Sequence, residues 1–143
     1  MVTRRDLGKG AIIAVHGPLF RNYYTDHAPS LRDFIGKLVD GLGIPWTATL
    51  EGPPQLEMIL RQKEGKLLVN LINRDSGEAL AANRVTVENL PPIENVVVHV
   101  PRSSAPKSVV IAPSDAKMTW AYKNGLVTIK VPQLDIHRVV IIE

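Results

Sequence analysis

The chain has 143 residues, 45% hydrophobic and 22% charged, a globular balance with enough length to bury a core and no sign of disorder or a coiled coil. Its 17 Lys and Arg against 14 Asp and Glu are spread along the sequence, with Arg4, Arg5 and Lys9 as the densest cluster, so no nucleic-acid face is expected. The absence of cysteine excludes disulfides, thiolate metal sites and a cysteine nucleophile, and leaves either redox compartment open.

In chain order, "MVTRRDLGKGAIIAVHGPLF" opens on charge, and its apolar run is only "AIIAV" before His16 and Gly17. That is too short for a leader core or for the roughly 20 apolar residues of a spanning helix, so no membrane partner is expected and the cytoplasm is slightly favoured. Gly10 to Val15 is apolar at every position, as in a strand covered on both faces. A loop carrying Tyr23, Tyr24, Asp26 and His27 comes next. Ser30 with Asp33 makes a capping-box-like start to a helix, whose stripe is Leu31, Phe34, Ile35, Leu38, Val39 and Leu42. Gly41, Gly43 and Pro45 stop it. A lone strand and one amphipathic helix cannot close a layer, so this lead-in must pack on the β segments beyond Pro45, pair with another chain, or belong to a sheet outside this chain.

The character changes near Pro45, and the Pro- and Gly-rich "GIPWTATLEGPP" reads as a linker between residues 1–45 and 46–143. Beyond it the period becomes two. "QLEMILR" and "KLLVNLIN" flank a hairpin at Lys63-Glu64-Gly65, and Asp75-Ser76-Gly77 marks the next turn. "NVVVHV", "SVVIAP", "MTWAYKNGLVTIKV" and "HRVVIIE" complete the series, with a hairpin at Asn124-Gly125. The spacing predicts a mainly β fold, an antiparallel β-sandwich of about seven or eight strands preceded by one strand-helix unit of a truncated α/β domain. Pro91, Pro92, Pro101, Pro113 and Pro132 are expected at strand ends, where a missing N–H does no harm. Val139 to Ile142 read as a final strand covered on both sides.

Candidate chemistry is sparse. His16, Asp26 and His27 come after the first strand, where α/β sheets place sites, but their spacing matches no standard ligand set and they read as polar loop residues; no metal is expected. Gly8, Gly10 and Gly17 are in the wrong order for a phosphate loop, because "GKG" precedes the strand, so no nucleotide cofactor is expected. Glu51, Glu57, Glu64, Glu78, Glu88 and Glu94 fall at outward, turn or linker positions and read as solvated, not as a glycosidase acid pair. No serine sits in a G-x-S-x-G elbow. Trp120 and Tyr122, two apart on one strand face, would form a carbohydrate-stacking shelf with Trp46 if that face were open, and core rings if it were not. His99, within "VVVHV", and His137, before "VVII", read as structural histidines.

The segments "GKGAIIAVHGP" and "LRDFIGKLVDGLG", with the tyrosine pair between them, resemble the last βα unit of the glutamine-amidotransferase-like trimerisation domain of bacterial β-galactosidase-like glycoside hydrolases. "KLLVNLIN" and the closing "VPQLDIHRVVIIE" are similar to the small C-terminal β-sandwich of the same enzymes. The resemblance runs from about Leu7 to Glu143, and it implies a non-catalytic accessory region that braces the catalytic barrel or an oligomer interface. The parent's acid pair would lie in a barrel this chain does not contain, so no catalytic residue is carried over. The implied partners are that barrel or another protomer; the alternative is a carbohydrate-binding module using Trp120 and Tyr122.

Overall fold

In the computed structural model the described residues are 1–74, 89–113 and 117–143. They form ten strands and two helices in two compact units, Met1–Trp46 and Thr47–Glu143. The expected turn at Asp75-Ser76-Gly77, and Glu78 and Glu88, lie outside the described residues. Among the described residues no helix is long and apolar enough to cross a membrane.

In the first unit the strand read from the sequence has a neighbour. β1 (Val2–Leu7) pairs antiparallel with β2 (Gly10–Val15), Leu7 opposite Gly10, across a two-residue turn that Gly8 enters at φ +58°. The charged "VTRRDL" hid β1, because an edge strand can carry Arg and Asp on either face. β2 has no buried residue, so the covering expected on both its faces is not seen. The tyrosine loop is a helix, α1 (Leu19–Asp26), which His27 closes in the left-handed region at φ 50° while its N–H donates to the Tyr23 carbonyl. Paired tyrosines favour strands, and no capping side chain announces this helix. α2 (Pro29–Asp40) is capped by Ala28, not Ser30; Pro29 in the first turn fixes the start, so Ser30 and Asp33 fall inside.

The described residues of the second unit form an antiparallel β-sandwich of eight strands. They are β3 (Thr49–Glu51), β4 (Leu56–Lys63), β5 (Lys66–Asn73), β6 (Ile93–Pro101), β7 (Val109–Ala112), β8 (Thr119–Lys123), β9 (Leu126–Leu134) and β10 (His137–Ile142). The first sheet has the order β4-β5-β10-β7 and the second β3-β6-β9-β8. β3 lies within the stretch read as a linker, its three residues too few to show a period. Two turns come out as the sequence demands. Glu64-Gly65 and Asn124-Gly125 have φ of 50° and 75°, and of 52° and 79°, the positive pair that matches hairpin twist. Pro132 is not at a strand end but inside β9, between Val131 and Gln133, which pair with Val96 and Glu94. Asn95 stands opposite it at φ 57°, so the ladder is interrupted where proline has no N–H to give.

Alternation explains the core. Leu56, Leu67, Val69, Leu71, Val109, Ile111, Val140 and Ile142 of the first sheet meet Ile93, Val96, Val98, Val100, Val127, Ile129, Val131 and Leu134 of the second. Asn73 is the buried polar residue among those described, and its side-chain amide donates to the carbonyls of Pro91 and Asp135, each at 2.8 Å. Beyond β10, Glu143 accepts from the Lys107 N–H and donates its own N–H to Ser108. Its carboxylate pairs with Lys66 at 2.9 Å.

Candidate functional site

The two outer faces of the sandwich differ in chemistry. On the first sheet, register aligns three rows across the strands: Glu57, Ile72 and His137; Ile59, Asn70, Val139 and Ala112; Arg61, Leu68, Ile141 and Val110. An antiparallel sheet facing water normally turns polar side chains outward. Here the middle of that face is aliphatic, with Val110 49% and Ile59 36% exposed and Leu68, Ile72, Val139 and Ile141 half-buried. The double covering read for β10 therefore resolves into a buried side, Val140 and Ile142, and a half-covered side, Val139 and Ile141.

Asn70, His137 and Glu57 on this face have partners. Asn70 Nδ2 donates to the Ile59 carbonyl at 3.2 Å, so its Oδ1 is the acceptor facing His137 Nε2 at 3.3 Å. That fixes Nε2 of His137 as the protonated nitrogen, and its role as structural. At the acidic corner Glu57 accepts from Arg74 at 3.0 Å.

The outer face of the second sheet is polar. His99 Nε2 donates to Glu51 Oε1 at 2.7 Å, and its Nδ1 faces the Thr128 hydroxyl at 3.3 Å, so one imidazole ties the short β3 to the centre of the sheet. Hydroxyl, imidazole and carboxylate stand in the order a hydrolytic triad uses. A nucleophile also needs N–H donors aimed at the developing oxyanion, and Thr128 lies on a strand whose backbone is laddered on both sides, to β6 and to β8. The arrangement orders a sheet edge. Beside it, Thr119, Trp120, Ala121, Thr128 and Lys130 line a shallow cleft of about 210 Å³.

The structure separates the remaining candidates. Trp120 and Tyr122 pair with Ile129 and Val127, and so share the core side of the edge strand β8. Tyr122 packs on the core and donates its hydroxyl to the Arg102 carbonyl at 3.3 Å, whereas Trp120 stays 39% exposed. Trp46 is exposed, in the first unit. His16 Nε2 meets the Thr3 hydroxyl at 3.0 Å, His27 sits against the rings of Tyr23 and Tyr24, and no metal-holding group of three ligands occurs among the described residues. Glu64 is in a turn, and Glu94 lies outward on β6. In the first unit Ile13, Val15, Phe20, Leu38, Val39 and Leu42 enclose an apolar groove of about 210 Å³.

No family model and no curated protein matches the chain. Among solved structures it is similar to the α-L-fucosidase isoenzyme 2 of Paenibacillus thiaminolyticus, with a TM-score of 0.75 and 23% identity over 92% of this chain. The chain spans 20% of the length of that enzyme. The likeness is one of fold, to part of a glycoside hydrolase, and it does not single out a β-galactosidase-like parent.

Proposed function

We propose that this chain is a non-catalytic accessory segment of a glycoside hydrolase, a β-sandwich that docks through the outer face of its first sheet against a catalytic barrel or another protomer. The observation that carries this reading is that face, aliphatic where a solvated sheet would be polar, with Asn70 and His137 already bonded to partners on the face. Docking there removes apolar area from water, and the Asn70 and His137 side chains already bond to each other and to the sheet, which lowers the cost of covering them. The fold shared with a fifth of a fucosidase chain agrees with a role as one part of a larger enzyme.

Two measurements test it. Sequencing upstream of the Met1 codon is expected to find an in-frame stretch encoding a barrel, and an in-frame stop directly upstream overturns the reading. The chain alone is expected to leave aryl α-L-fucosides and β-galactosides intact, and turnover that survives repurification overturns its non-catalytic half.

A second reading, saccharide contact, draws support from Trp120, which is 39% exposed on the edge strand β8. It needs only one ring, because Tyr122 is occupied by the core. Titration of L-fucose and of galacto-oligosaccharides into the wild type and Trp120→Ala tests it: binding by the wild type alone supports it, and heats indistinguishable from dilution reject it.

A further inference from the structure

We propose that the outer face of the second sheet carries a binding site for a carboxylated sugar, a uronic acid residue of a glycan, with Lys130 taking the carboxylate. That the anion is a sugar rests on the accessory reading of the chain; the cation and the cavity do not. Register builds the site. Val97, Lys130 and Thr119 align across β6, β9 and β8, and the next row holds His99, Thr128 and Ala121. β8 starts at Thr119 while β9 runs on to Leu134, and beyond Lys130 the ladder is interrupted where Asn95 faces Pro132. The sheet surface sinks there into a cavity of about 350 Å³ whose lining includes Asn95, Val97, Thr119, Lys130 and Pro132. Its size falls within the roughly 300 to 1,000 Å³ of small-ligand pockets. Through Thr119 and Lys130 it continues into the cleft past Ala121 and Thr128.

The bonding state of each group selects the ligand. Lys130 is exposed and makes no ion pair among the described residues. Glu51, two strands away in the same row, is taken by His99, and Glu94 does not line the cavity. An unmatched cation over a cavity calls for an anion. Because His99 Nε2 donates to Glu51, the neutral ring accepts at Nδ1, so the Thr128 hydroxyl donates there and its oxygen stays an acceptor for a ligand hydroxyl. Thr119 and Asn95 add a hydroxyl and an amide that both donate and accept, while Val97, Ala121 and Pro132 offer an apolar floor to the C–H face of a pyranose ring.

Other ligands and places fit less well. A phosphate dianion is better met by arginine forks or by the N–H groups of a helix start, whereas β9 is laddered to strands on both sides and one lysine is a single point charge. In the first unit, the pocket bounded by Arg4, Asp6 and Lys9 has its arginine held already by Asp6 and by the Gly41 carbonyl at the end of α2, the helix end that repels anions.

Titration of methyl β-glucuronide into the isotope-labelled full chain, followed by amide NMR at fixed pH and ionic strength up to about 50 mM ligand, tests this. The open cavity and single charge predict a Kd of about 1 to 10 mM, with shifts at Asn95, Val97, Thr119 and Lys130. Methyl β-glucoside, the same ring with a hydroxymethyl group for the carboxylate, should bind at least about fivefold more weakly, and so should the glucuronide to Lys130→Gln. Lys123→Gln, two rows away on the same side of β8, should bind like the wild type, and the amide spectrum reports the fold of each variant. No shift at these amides up to about 50 mM overturns the site while leaving the accessory reading to its own test. Equal binding of the glucoside, or a loss with Lys123→Gln as large as with Lys130→Gln, overturns Lys130 as the carboxylate's partner. Equal shifts from sodium acetate overturn the sugar as the ligand.

Discussion

Asn73 offers a test of how the two sheets are held at one end of the sandwich. The residue closes β5, is 5% exposed, and donates both hydrogens of its side-chain amide, to Pro91 and to Asp135, at 2.8 Å each. Asn73→Ala removes two neutral hydrogen bonds, each worth about 1 to 1.5 kcal/mol net, and leaves carbonyls short of a donor, so a loss of about 2 to 4 kcal/mol is expected. Asn73→Asp keeps the shape and replaces the donor by a carboxylate facing two carbonyl oxygens. The folded state then favours the protonated acid, which raises the carboxyl above its ordinary value of about 3.9. A raised folded-state pKa makes the contribution greatest below the unfolded value and loses it as pH rises through the folded one. The deficit of Asn73→Asp relative to wild type is therefore smallest near pH 4, where the protonated acid still donates to one of the two carbonyls, and grows towards pH 7, by up to about 1.4 kcal/mol per pH unit between the two pKa values. Urea denaturation followed by circular dichroism at both pH values reads this directly, and a loss of about 2 to 4 kcal/mol lowers the midpoint by about 1 to 2 M. An Asn73→Ala loss under about 0.5 kcal/mol, or an Asp deficit that does not change with pH, would refute the clamp.

The same geometry sets three further outcomes. Ile129→Ala, at a fully buried position in the centre of the second sheet, should cost about 2 to 5 kcal/mol in urea denaturation. A cost below about 1 kcal/mol would mean the core can collapse around the gap. Glu64 holds φ 50° in a two-residue hairpin turn, so Glu64→Asn should stabilise by about 0.5 to 1 kcal/mol in the same assay, and a loss of stability would refute the turn assignment. The hydrogen bond and charge of Lys66 lower the Glu143 carboxyl, and Glu143 raises Lys66 by the same contact. The carboxylate's contribution is present above the ordinary carboxylate range and lost as pH falls through its lowered value; that of Lys66 is present below the ordinary lysine range and lost as pH rises through its raised value. Lys66→Ala should flatten the acid limb of the melting-temperature profile, and an unchanged limb would place the acid sensitivity elsewhere.

The sandwich was legible because its strands write their period in valines and isoleucines and because Lys-Glu-Gly and Asn-Gly mark its hairpins. The lead-in was legible only in its most apolar pieces. β1 and α1 lack the pattern that identifies such elements, since a two-stranded edge and a helix with no buried residue leave little hydrophobic periodicity. The His99, Glu51 and Thr128 group could not be read from the sequence, because its members are 48 and 29 residues apart and meet only through the registers of β3 with β6 and of β6 with β9. The apolar outer face did leave a trace. "KLLVNLIN" and "VVII" carry aliphatic residues at both parities, which reads as covering on both sides, whereas among the described residues one side is buried and the other half-buried.

That trace bears on which face the proposed docking would use. Both outer faces belong to four-stranded antiparallel sheets of similar extent, so packing of the two sheets on each other gives neither a reason to be more apolar than the other. Covering the second would take Lys130 and Glu51 out of water at several kcal/mol per ion unless a partner supplied matching charge and hydrogen bonds. Covering the first takes Ile59, Val110 and Val139 out of water while Asn70 and His137 keep their bonds to each other and to the β4 backbone, and it asks a partner to match the charges of Glu57 and Arg61 on the edge strand. A face that lost its partner in evolution would be expected to acquire polar residues at Val110, Ile59 and Val139, where a single substitution disturbs no core contact. Their aliphatic character is therefore what the proposed docking predicts for this face.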